Sequence, residues 1–188
     1  MELRPWTIPN VLTFGRLVAL PFLIVAIWEG RHKTALLIFL VAAITDIVDG
    51  YLARRFKMGS PLGAYLDPIA DKLFLVSTFI VFVIPATPSK LHVPVWLLSL
   101  TIFRDVFIVS TALVMFLALD IRSFPPSVLG KATTFLEIST VVAILLTNVD
   151  RMPPIVAQIL FRLVAVFAVA SGMDYIYKAT SRLPRAKA

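Results

Sequence analysis

Four of the eleven acidic residues of this chain lie within 26 positions, in the segment DIVDGYLARRFKMGSPLGAYLDPIAD. Strongly apolar segments flank this cluster, and an ionised carboxylate in such a setting is costly unless it is paired or bound to a metal. Carboxylate oxygens suit hard cations such as Mg²⁺, Mn²⁺ or Ca²⁺. The pattern predicts a divalent-metal site at a membrane surface, held by Asp46, Asp49, Asp67 and Asp71.

Ordinary charges at helix ends are the alternative interpretation of the cluster. Four carboxylates around one gap repel strongly unless cations neutralise them. Two divalent ions about 3.5–4 Å apart are the usual solution, and such a pair suits displacement at phosphorus. The chain has no cysteine and two histidines, which excludes thiolate ligands and disfavours a histidine metal site.

The two sides of the cluster fit two helices. If the second apolar segment is a helix, Asp46 and Asp49 share a stripe about 100° wide with Gly50 and Ala53. The small residues leave room for a ligand near the backbone. Arg54 lies at the edge of the stripe and can reach a bound anion.

A turn is predicted next, because Gly59 suits a helix end and Pro61 suits the first position of a new helix. Gly63, Asp67 and Asp71 then lie within an arc of about 80°. Two antiparallel helices with a short loop would bring both carboxylate pairs face to face near one end of the pair.

Hydropathy predicts the architecture around the cluster. The chain has 188 residues, of which 59% are hydrophobic, and a mean hydropathy of +0.91. Runs of about 20 apolar residues can cross a bilayer. We therefore expect an all-α polytopic membrane protein with six transmembrane helices and, because no repeat or linker is visible, one membrane-embedded domain over residues 1–188. The predicted segments are 9–28, 34–53, 64–85, 93–118, 126–148 and 153–177.

The net charge of +7 predicts orientation. With a cytoplasmic N-terminus, most Lys and Arg residues outside the helices fall on the cytoplasmic side, together with the 54–60 loop and the C-terminus. The basic tail RLPRAKA is too short for a nucleic-acid module, so contact with anionic lipid head groups is expected instead.

The cluster resembles a known signature. At all eight fixed positions, D-x-x-D-G-x-x-A-R-x8-G-x-x-x-D-x-x-x-D matches the signature of the CDP-alcohol phosphatidyltransferases. These enzymes move a phosphatidyl or similar group from a CDP-activated donor to an alcohol. The six predicted helices, the chain length and IPNVLTFGR near the start fit the same family. The resemblance implies that family's fold, a homodimer, and CDP-diacylglycerol as the donor.

The resemblance also implies roles for individual residues. Asp46, Asp49 and Asp67 are expected to bind two Mg²⁺ or Mn²⁺ ions, and Asp71 to contact one of them and act as the general base. The residues expected to make room for the CDP group, or to neutralise its diphosphate, are Gly50, Ala53, Gly63 and Arg54.

Further ionisable groups lie within or near predicted helices. Arg16, Arg104 and Lys131 are candidates for binding an anionic acceptor, because buried cations make phosphate pockets. Arg162 could pair with Glu137, and that pair is interpreted as structural.

The acceptor is predicted from weaker similarities. IPN-x-L-T-x-x-R and Gly130-Lys131 followed by Thr are most similar to phosphatidylglycerophosphate synthases, whose acceptor is glycerol 3-phosphate. Two features depart from that pattern: Asp105 follows Arg104 where Glu is common, and Glu137 replaces an amide. The Arg-Asp pair is also similar to cardiolipin synthases of this fold, whose acceptor is phosphatidylglycerol.

Two other classes compete with an enzyme. A cation transporter should carry charges near the membrane midplane and often has repeats, whereas these aspartates lie toward one end and no repeat is visible. A silent scaffold would not need both carboxylate pairs. The sequence thus favours a phospholipid-synthesis enzyme of a bacterial inner membrane, with its active site facing the cytoplasm.

Overall fold

The computed structural model of the protein describes residues 8–56, 61–119 and 127–181. Within these ranges the regular structure is entirely α-helical, as predicted. The six helices are α1 (Ile8–Trp28), α2 (His32–Phe56), α3 (Pro61–Val83), α4 (Val95–Leu119), α5 (Val128–Asn148) and α6 (Pro154–Ser181). Each helix begins and ends within four residues of its predicted segment.

Local sequence explains several helix ends. Pro61 and Pro154 begin α3 and α6, where a fixed φ helps and a missing N–H costs nothing. After α1, Gly30 adopts a φ of +71°. Its N–H donates to the carbonyl three residues earlier at 3.0 Å, and the Arg31 N–H donates to the carbonyl five residues earlier at 2.8 Å. This is the Schellman arrangement, and Asp150, with a φ of +58°, repeats it after α5.

Four helices are long and apolar enough to cross a membrane within the described residues. The spans are Val11–Trp28, Val95–Met115, Val128–Asn148 and Pro154–Lys178, with mean hydropathies of 2.1, 1.8, 1.6 and 2.1. The six predicted helices are therefore present, but six membrane spans are not confirmed. The other two helices, α2 and α3, carry the clustered aspartates, and parts of both helices lie outside the described side chains.

The helices fall into two compact units. One contains α1, α2, α3 and the C-terminal end of α5, and in this unit α1 packs against both α2 and α3. Its fully buried side chains include Leu23, Ile27, Phe39, Phe79 and Phe82. The other unit contains α4, the first part of α5 and α6. The expectation of one domain over residues 1–188 stays a prediction.

Candidate active site

The carboxylate cluster is organised by an arginine of α1. The Arg16 side chain is only 4% exposed, and its Nη1 lies 2.8 Å from Oδ1 of Asp46 on α2. The same Nη1 contacts Oδ1 of Asp71 on α3. One nitrogen therefore joins carboxylates that are 25 residues apart in the sequence and lie on two different helices.

A second contact from α1 involves Asp67, the third aspartate of the cluster whose side chain is described. Thr13, which is 2% exposed, donates a hydrogen bond from its hydroxyl to Oδ1 of Asp67. Thr13 and Arg16 are three residues apart, and Asp67 and Asp71 are four apart, so each pair lies on one face of its helix. The matching faces of α1 and α3 thus fix both aspartates of α3.

The arrangement leaves the carboxylates reachable. The side chains of Asp46 and Asp71 are 39% and 35% exposed, although their arginine partner is buried. Arg16 supplies one positive charge to the described carboxylates Asp46, Asp67 and Asp71, so these four groups carry a net charge of −2 when ionised. A site of this sign attracts cations.

The donor chemistry fits a divalent metal. Asp46, Asp67 and Asp71 all present carboxylate oxygens, which are the donor atoms that Mg²⁺ and Mn²⁺ prefer. Among the residues whose side chains the structure describes, no three His, Cys, Asp or Glu residues are close enough together to form a metal site. Asp49 is not among them. The fit therefore depends on the oxygen donors that Asp46 and Asp71 present.

Five predicted site residues lie outside the described side chains. Their backbones belong to α2 and α3. They are Asp49, Gly50, Ala53, Arg54 and Gly63.

Arg104 is the centre of a second polar cluster, in the other unit. Its side chain is buried, and Nη1 lies 2.7 Å from Oδ1 of Asp105. Nη2 donates to the Gly130 carbonyl at 3.3 Å and to Oγ of Ser171 at 3.1 Å. A Cβ at Gly130 would lie 3.0 Å from Nη2, so a larger residue there would require the guanidinium to shift by a few tenths of an ångström.

The remaining predicted charges differ in burial. Lys131 follows Gly130 on α5, and its side chain is exposed. Glu137 is 2% exposed, whereas Arg162 is exposed on α6. Their predicted structural pairing stays a prediction. Helical periodicity alone did not indicate that Arg162 lies on an outward face.

Several polar contacts were not predicted. The contacts of Arg16 with Asp46 and Asp71 were not expected, and its predicted role in binding the acceptor stays a prediction. The T-x-x-R spacing of Thr13 and Arg16 could have indicated a shared polar face on α1. No comparable signal marks Ser171, which is one of several hydroxyl-bearing residues on α6.

Comparison with known proteins agrees with the carboxylate pattern. The family model described as CDP-alcohol phosphatidyltransferase matches residues 6–172, which is most of the chain. The chain belongs to this family. Enzymes of the family generally use divalent metal ions.

Two relatives resemble the chain in different ways. The CDP-diacylglycerol–glycerol-3-phosphate 3-phosphatidyltransferase of Rickettsia bellii is 33% identical over 175 residues, covering 89% of this chain and 92% of the relative. A protein of Arabidopsis thaliana with the same activity in its name is 51% identical over 78 residues, covering 39% of this chain and 33% of the relative.

Cardiolipin synthases are also similar to this phosphatidyltransferase. A rice protein named cardiolipin synthase (CMP-forming) is 43% identical over 99 residues, covering 50% of this chain and 30% of the relative. The chain spans about a third of the length of these plant relatives. Overall similarity therefore does not separate the two possible acceptors.

Proposed function

We propose that this chain is an integral membrane enzyme that transfers a phosphatidyl group from CDP-diacylglycerol to glycerol 3-phosphate. The products are phosphatidylglycerol phosphate and CMP. The observation that carries the proposal is the meeting of Asp46 and Asp71 at one nitrogen of Arg16. Family membership and the resemblance to the Rickettsia relative along 89% of the chain support it.

Metal binding is assigned to the aspartates. Asp46, Asp49 and Asp67 would hold two Mg²⁺ or Mn²⁺ ions, and Asp71 would contact one of them. Such ions, when bound, polarise phosphoryl oxygens and neutralise the charge that develops on a leaving phosphate. Arg16 and Thr13 act as positioning residues, because their contacts orient Asp46, Asp71 and Asp67 before any ligand arrives.

Asp71 is the proposed general base. Its carboxylate accepts the proton of the acceptor's primary hydroxyl, and the hydroxyl oxygen forms a bond to the β-phosphorus of the donor. The bond between that phosphorus and the bridging oxygen breaks, and its electron pair leaves with CMP. In-line placement of the attacking and leaving oxygens is required for this displacement.

The donor and acceptor are assigned to different residues. Gly50, Ala53 and Gly63 would leave space for the CDP group, while Arg54 would neutralise its diphosphate. The candidates for binding the acceptor phosphate are Arg104 and Lys131 in one unit, and Arg16 is a separate candidate in the other unit. Burial of Arg104 and exposure of Lys131 suit a fixed anchor and a mobile contact, respectively. The Arg16 contacts to two carboxylates make it the weakest of the three candidates.

The proposed topology follows the charge distribution. All six helices would span the bilayer as one domain over residues 1–188, with both termini and the 54–60 loop in the cytoplasm. The active site would face the cytoplasm of a bacterial inner membrane, and the enzyme would be a homodimer. No nucleic acid is involved. Family membership gives no support to the alternative of a cation transporter.

Product analysis tests the assignment. Purified protein in nanodiscs is incubated with CDP-diacylglycerol, Mg²⁺ and either glycerol 3-phosphate or phosphatidylglycerol, and lipid products are identified by mass spectrometry. Phosphatidylglycerol phosphate from the first mixture is expected. Lack of turnover with every alcohol acceptor would refute the phosphatidyltransferase assignment.

Cardiolipin synthesis is the second candidate. The contact of 2.7 Å between Arg104 and Asp105 favours it, because that carboxylate partly neutralises the proposed phosphate anchor. The resemblance to the rice cardiolipin synthase supports the same candidate. Cardiolipin from the phosphatidylglycerol mixture, without product from glycerol 3-phosphate, would replace the first assignment.

A further inference from the structure

A polar cavity lies at the end of α2 that is opposite to the carboxylate cluster. Its volume is about 480 Å³, and its walls belong to the first unit: the turn after α1, the start of α2 and the end of α5. His32 and Asp46 are 14 residues apart on α2, so roughly 21 Å of helix separates the cavity from the cluster. The polar lining residues are Arg31, His32, Lys33, Thr34, Asn148 and Asp150.

The start of α2 lacks the usual cap of a helix. The Arg31 carbonyl accepts from the Ala35 N–H at 3.0 Å, which makes Arg31 the N-cap residue. Ser, Thr, Asp and Asn are preferred there because their side-chain oxygens accept from first-turn N–H groups, whereas a guanidinium has no acceptor atom. The first turn of α2 has no acidic residue either. The N–H groups of Lys33 and Thr34 therefore have no side-chain cap, and this positive end of the helix dipole favours an anion.

A buried histidine beside these N–H groups has one ring nitrogen without a partner. His32 lines the cavity and is 9% exposed, and its Nε2 lies 2.6 Å from the Pro88 carbonyl oxygen. Because a carbonyl oxygen only accepts, Nε2 donates its hydrogen to Pro88. Nδ1 of the same ring is buried and has no hydrogen-bond partner within the described residues. When it carries a proton, Nδ1 can donate to an anionic oxygen.

Contacts between α5 and the loop after α3 hold this histidine in place. Asn148, at the end of α5, is 8% exposed, and its Oδ1 accepts from the Lys90 N–H at 2.7 Å and from the Ser89 hydroxyl at 3.2 Å. The loop that contains Pro88 is thus tied to α5, while the Pro88 carbonyl orients His32. Polar groups that are fixed in this way bind a ligand at a smaller entropic cost.

The ionised groups around the cavity favour an anion. Arg31 contacts Glu29, and Oδ1 of Asp150 lies 2.5 Å from Nζ of Lys90, so both of these lining charges are paired and Asp150 takes no part in binding. Lys33 is exposed and has no ion-pair partner within the described part of the chain. Together the five groups carry a net charge of +1, whereas the carboxylate cluster is net negative.

A phosphate group matches these features, because its oxygens accept from backbone N–H groups, from lysine and from protonated imidazole. The apolar span of α1 ends at Trp28, next to the cavity, and Trp side chains commonly lie at the level of lipid head groups. We propose that the cavity binds a phosphate group, supplied by a phospholipid head group or by free phosphate, with Lys33 and the first-turn N–H groups of α2 as donors. This site is separate from the carboxylate cluster and does not depend on the proposed function.

NMR of backbone amides tests the site without turnover. Isotope-labelled protein in maltoside micelles, without phosphate buffer or divalent metal, is titrated with dihexanoyl phosphatidylglycerol or with inorganic phosphate. The Lys33 and Thr34 amide resonances should shift to saturation. Saturation at a lower concentration of phosphatidylglycerol identifies a lipid head group as the ligand, and saturation at an equal or lower concentration of inorganic phosphate identifies free phosphate. No shift with either, or an equal shift with dihexanoylglycerol, which has no phosphate, would overturn the proposal.

Lys33→Ala removes the unpaired lysine. Because a hydrogen bond to a charged group is lost, the Kd for the tighter of the two ligands should rise about tenfold or more. Arg151→Ala is the matched control: Arg151 is an exposed cation in the turn after α5 and does not line the cavity. Its Kd should stay within about twofold of the parent value, since exposed charges outside the contact are screened. Equal weakening in both variants would show a general effect of net charge and would overturn the proposal.

Arg31→Asp tests the helix start itself. The new carboxylate would accept from the N–H groups that the proposal assigns to phosphate, and a capping Asp stabilises a helix. The midpoint of thermal unfolding should therefore equal or exceed that of the parent, whereas the shifts caused by phosphatidylglycerol or phosphate at Lys33 and Thr34 should disappear. Binding by Arg31→Asp as tight as by the parent would overturn the proposal.

Discussion

Two buried arginines organise the polar groups of this molecule, and they do so with different partners. Arg16 is 4% exposed and contacts carboxylates on two other helices, Asp46 and Asp71. Arg104 is 7% exposed and contacts the adjacent Asp105, a backbone carbonyl and the hydroxyl of Ser171. The first arginine has excess negative charge around it, whereas the second has mostly neutral acceptors.

This difference separates two kinds of ligand site. The Arg16 cluster stays net negative with its three described aspartates ionised, so it suits additional cations. The Arg104 cluster sums to zero with Asp105 ionised, and neutral acceptors hold the guanidinium in place. Nε of Arg104 is buried and has no hydrogen-bond partner within the described residues. A fixed guanidinium of this kind suits an anionic ligand once a neighbouring cation such as Lys131 adds charge.

Of the changes predicted here, removal of the metal ions should reduce turnover the most, and it tests the Arg16 cluster alone. If the negative cluster works through bound divalent ions, EDTA should reduce turnover to background, and Mg²⁺ or Mn²⁺ should restore it. Transfer of labelled phosphatidyl groups measures both steps, and EDTA saturated with Mg²⁺ is the control. Full activity in chelator, or restoration by Zn²⁺ alone, would refute the two-metal assignment.

Asp71→Asn should strongly reduce turnover by removing the proposed base. General acid–base catalysis contributes about 10²–10⁴-fold, so a loss of kcat within that range is expected. The amide is nearly isosteric, and its oxygen can still accept from Arg16, so metal-dependent donor binding should stay within about threefold by equilibrium titration. Asp67→Asn should instead raise the Mg²⁺ concentration needed for half-maximal activity.

Asp150→Asn controls for loss of a carboxylate as such. This residue is exposed and pairs with Lys90 at 2.5 Å, in the turn after α5. An exposed ion pair contributes little to stability, so kcat should stay close to that of the parent. Near-normal turnover of Asp71→Asn would show that another group takes the proton.

Local patterns predicted the helices and the shared faces of the aspartates. Apolar runs and Pro61 were sufficient for the start of α3, because these signals depend only on nearby residues. Helical spacing also placed Asp67 and Asp71 on one face. Contacts between helices could not be predicted in this way, because a helical wheel relates only residues of the same helix. Arg16 lies 30 and 55 residues from the two carboxylates that it contacts, Asp46 and Asp71.

The second cluster was less predictable still. The Gly130 carbonyl and the Ser171 hydroxyl act through position, not through a distinctive residue pattern. The sequence also did not indicate that Arg162 lies on an exposed face of α6 while Glu137 is buried. Which face of a membrane helix turns outward depends on packing, and packing is not encoded in a single segment.

Arg104→Ala and Lys131→Ala test whether the second cluster binds the phosphate of the acceptor. If these cations bind the phosphate of glycerol 3-phosphate, each substitution should raise the acceptor KM at least about tenfold, because a hydrogen bond to a charged group contributes roughly 1.5–3 kcal/mol. The KM for CDP-diacylglycerol should change much less. Steady-state kinetics with each substrate varied separately measures both values.

Two outcomes would contradict that assignment. Variants that use glycerol 3-phosphate like the parent would remove Arg104 and Lys131 from the acceptor site. A parent that does not use glycerol 3-phosphate would favour phosphatidylglycerol, a phosphodiester held in part by its lipid chains, for which the cations should matter less. Either result leaves the role of the aspartates intact.

Ser171→Ala should give the smallest effect. Its hydroxyl accepts a hydrogen bond of 3.1 Å from Arg104 Nη2, and the net contribution of such a bond is about 0.5–1.5 kcal/mol, which corresponds to a rise in acceptor KM of about two- to tenfold. Ser171→Thr keeps the hydroxyl and should restore the parent KM. Ser139→Ala is the control, because that hydroxyl donates only to the Phe135 carbonyl of its own helix among the described contacts. If Ser171→Ala matches the parent while Arg104→Ala does not, the Gly130 carbonyl and Asp105 are sufficient to orient the guanidinium. Arg104 would then be held mainly by the Asp105 carboxylate. Arg16 and Arg104 would in that case differ in how many carboxylates they contact, and no longer in the type of their partners.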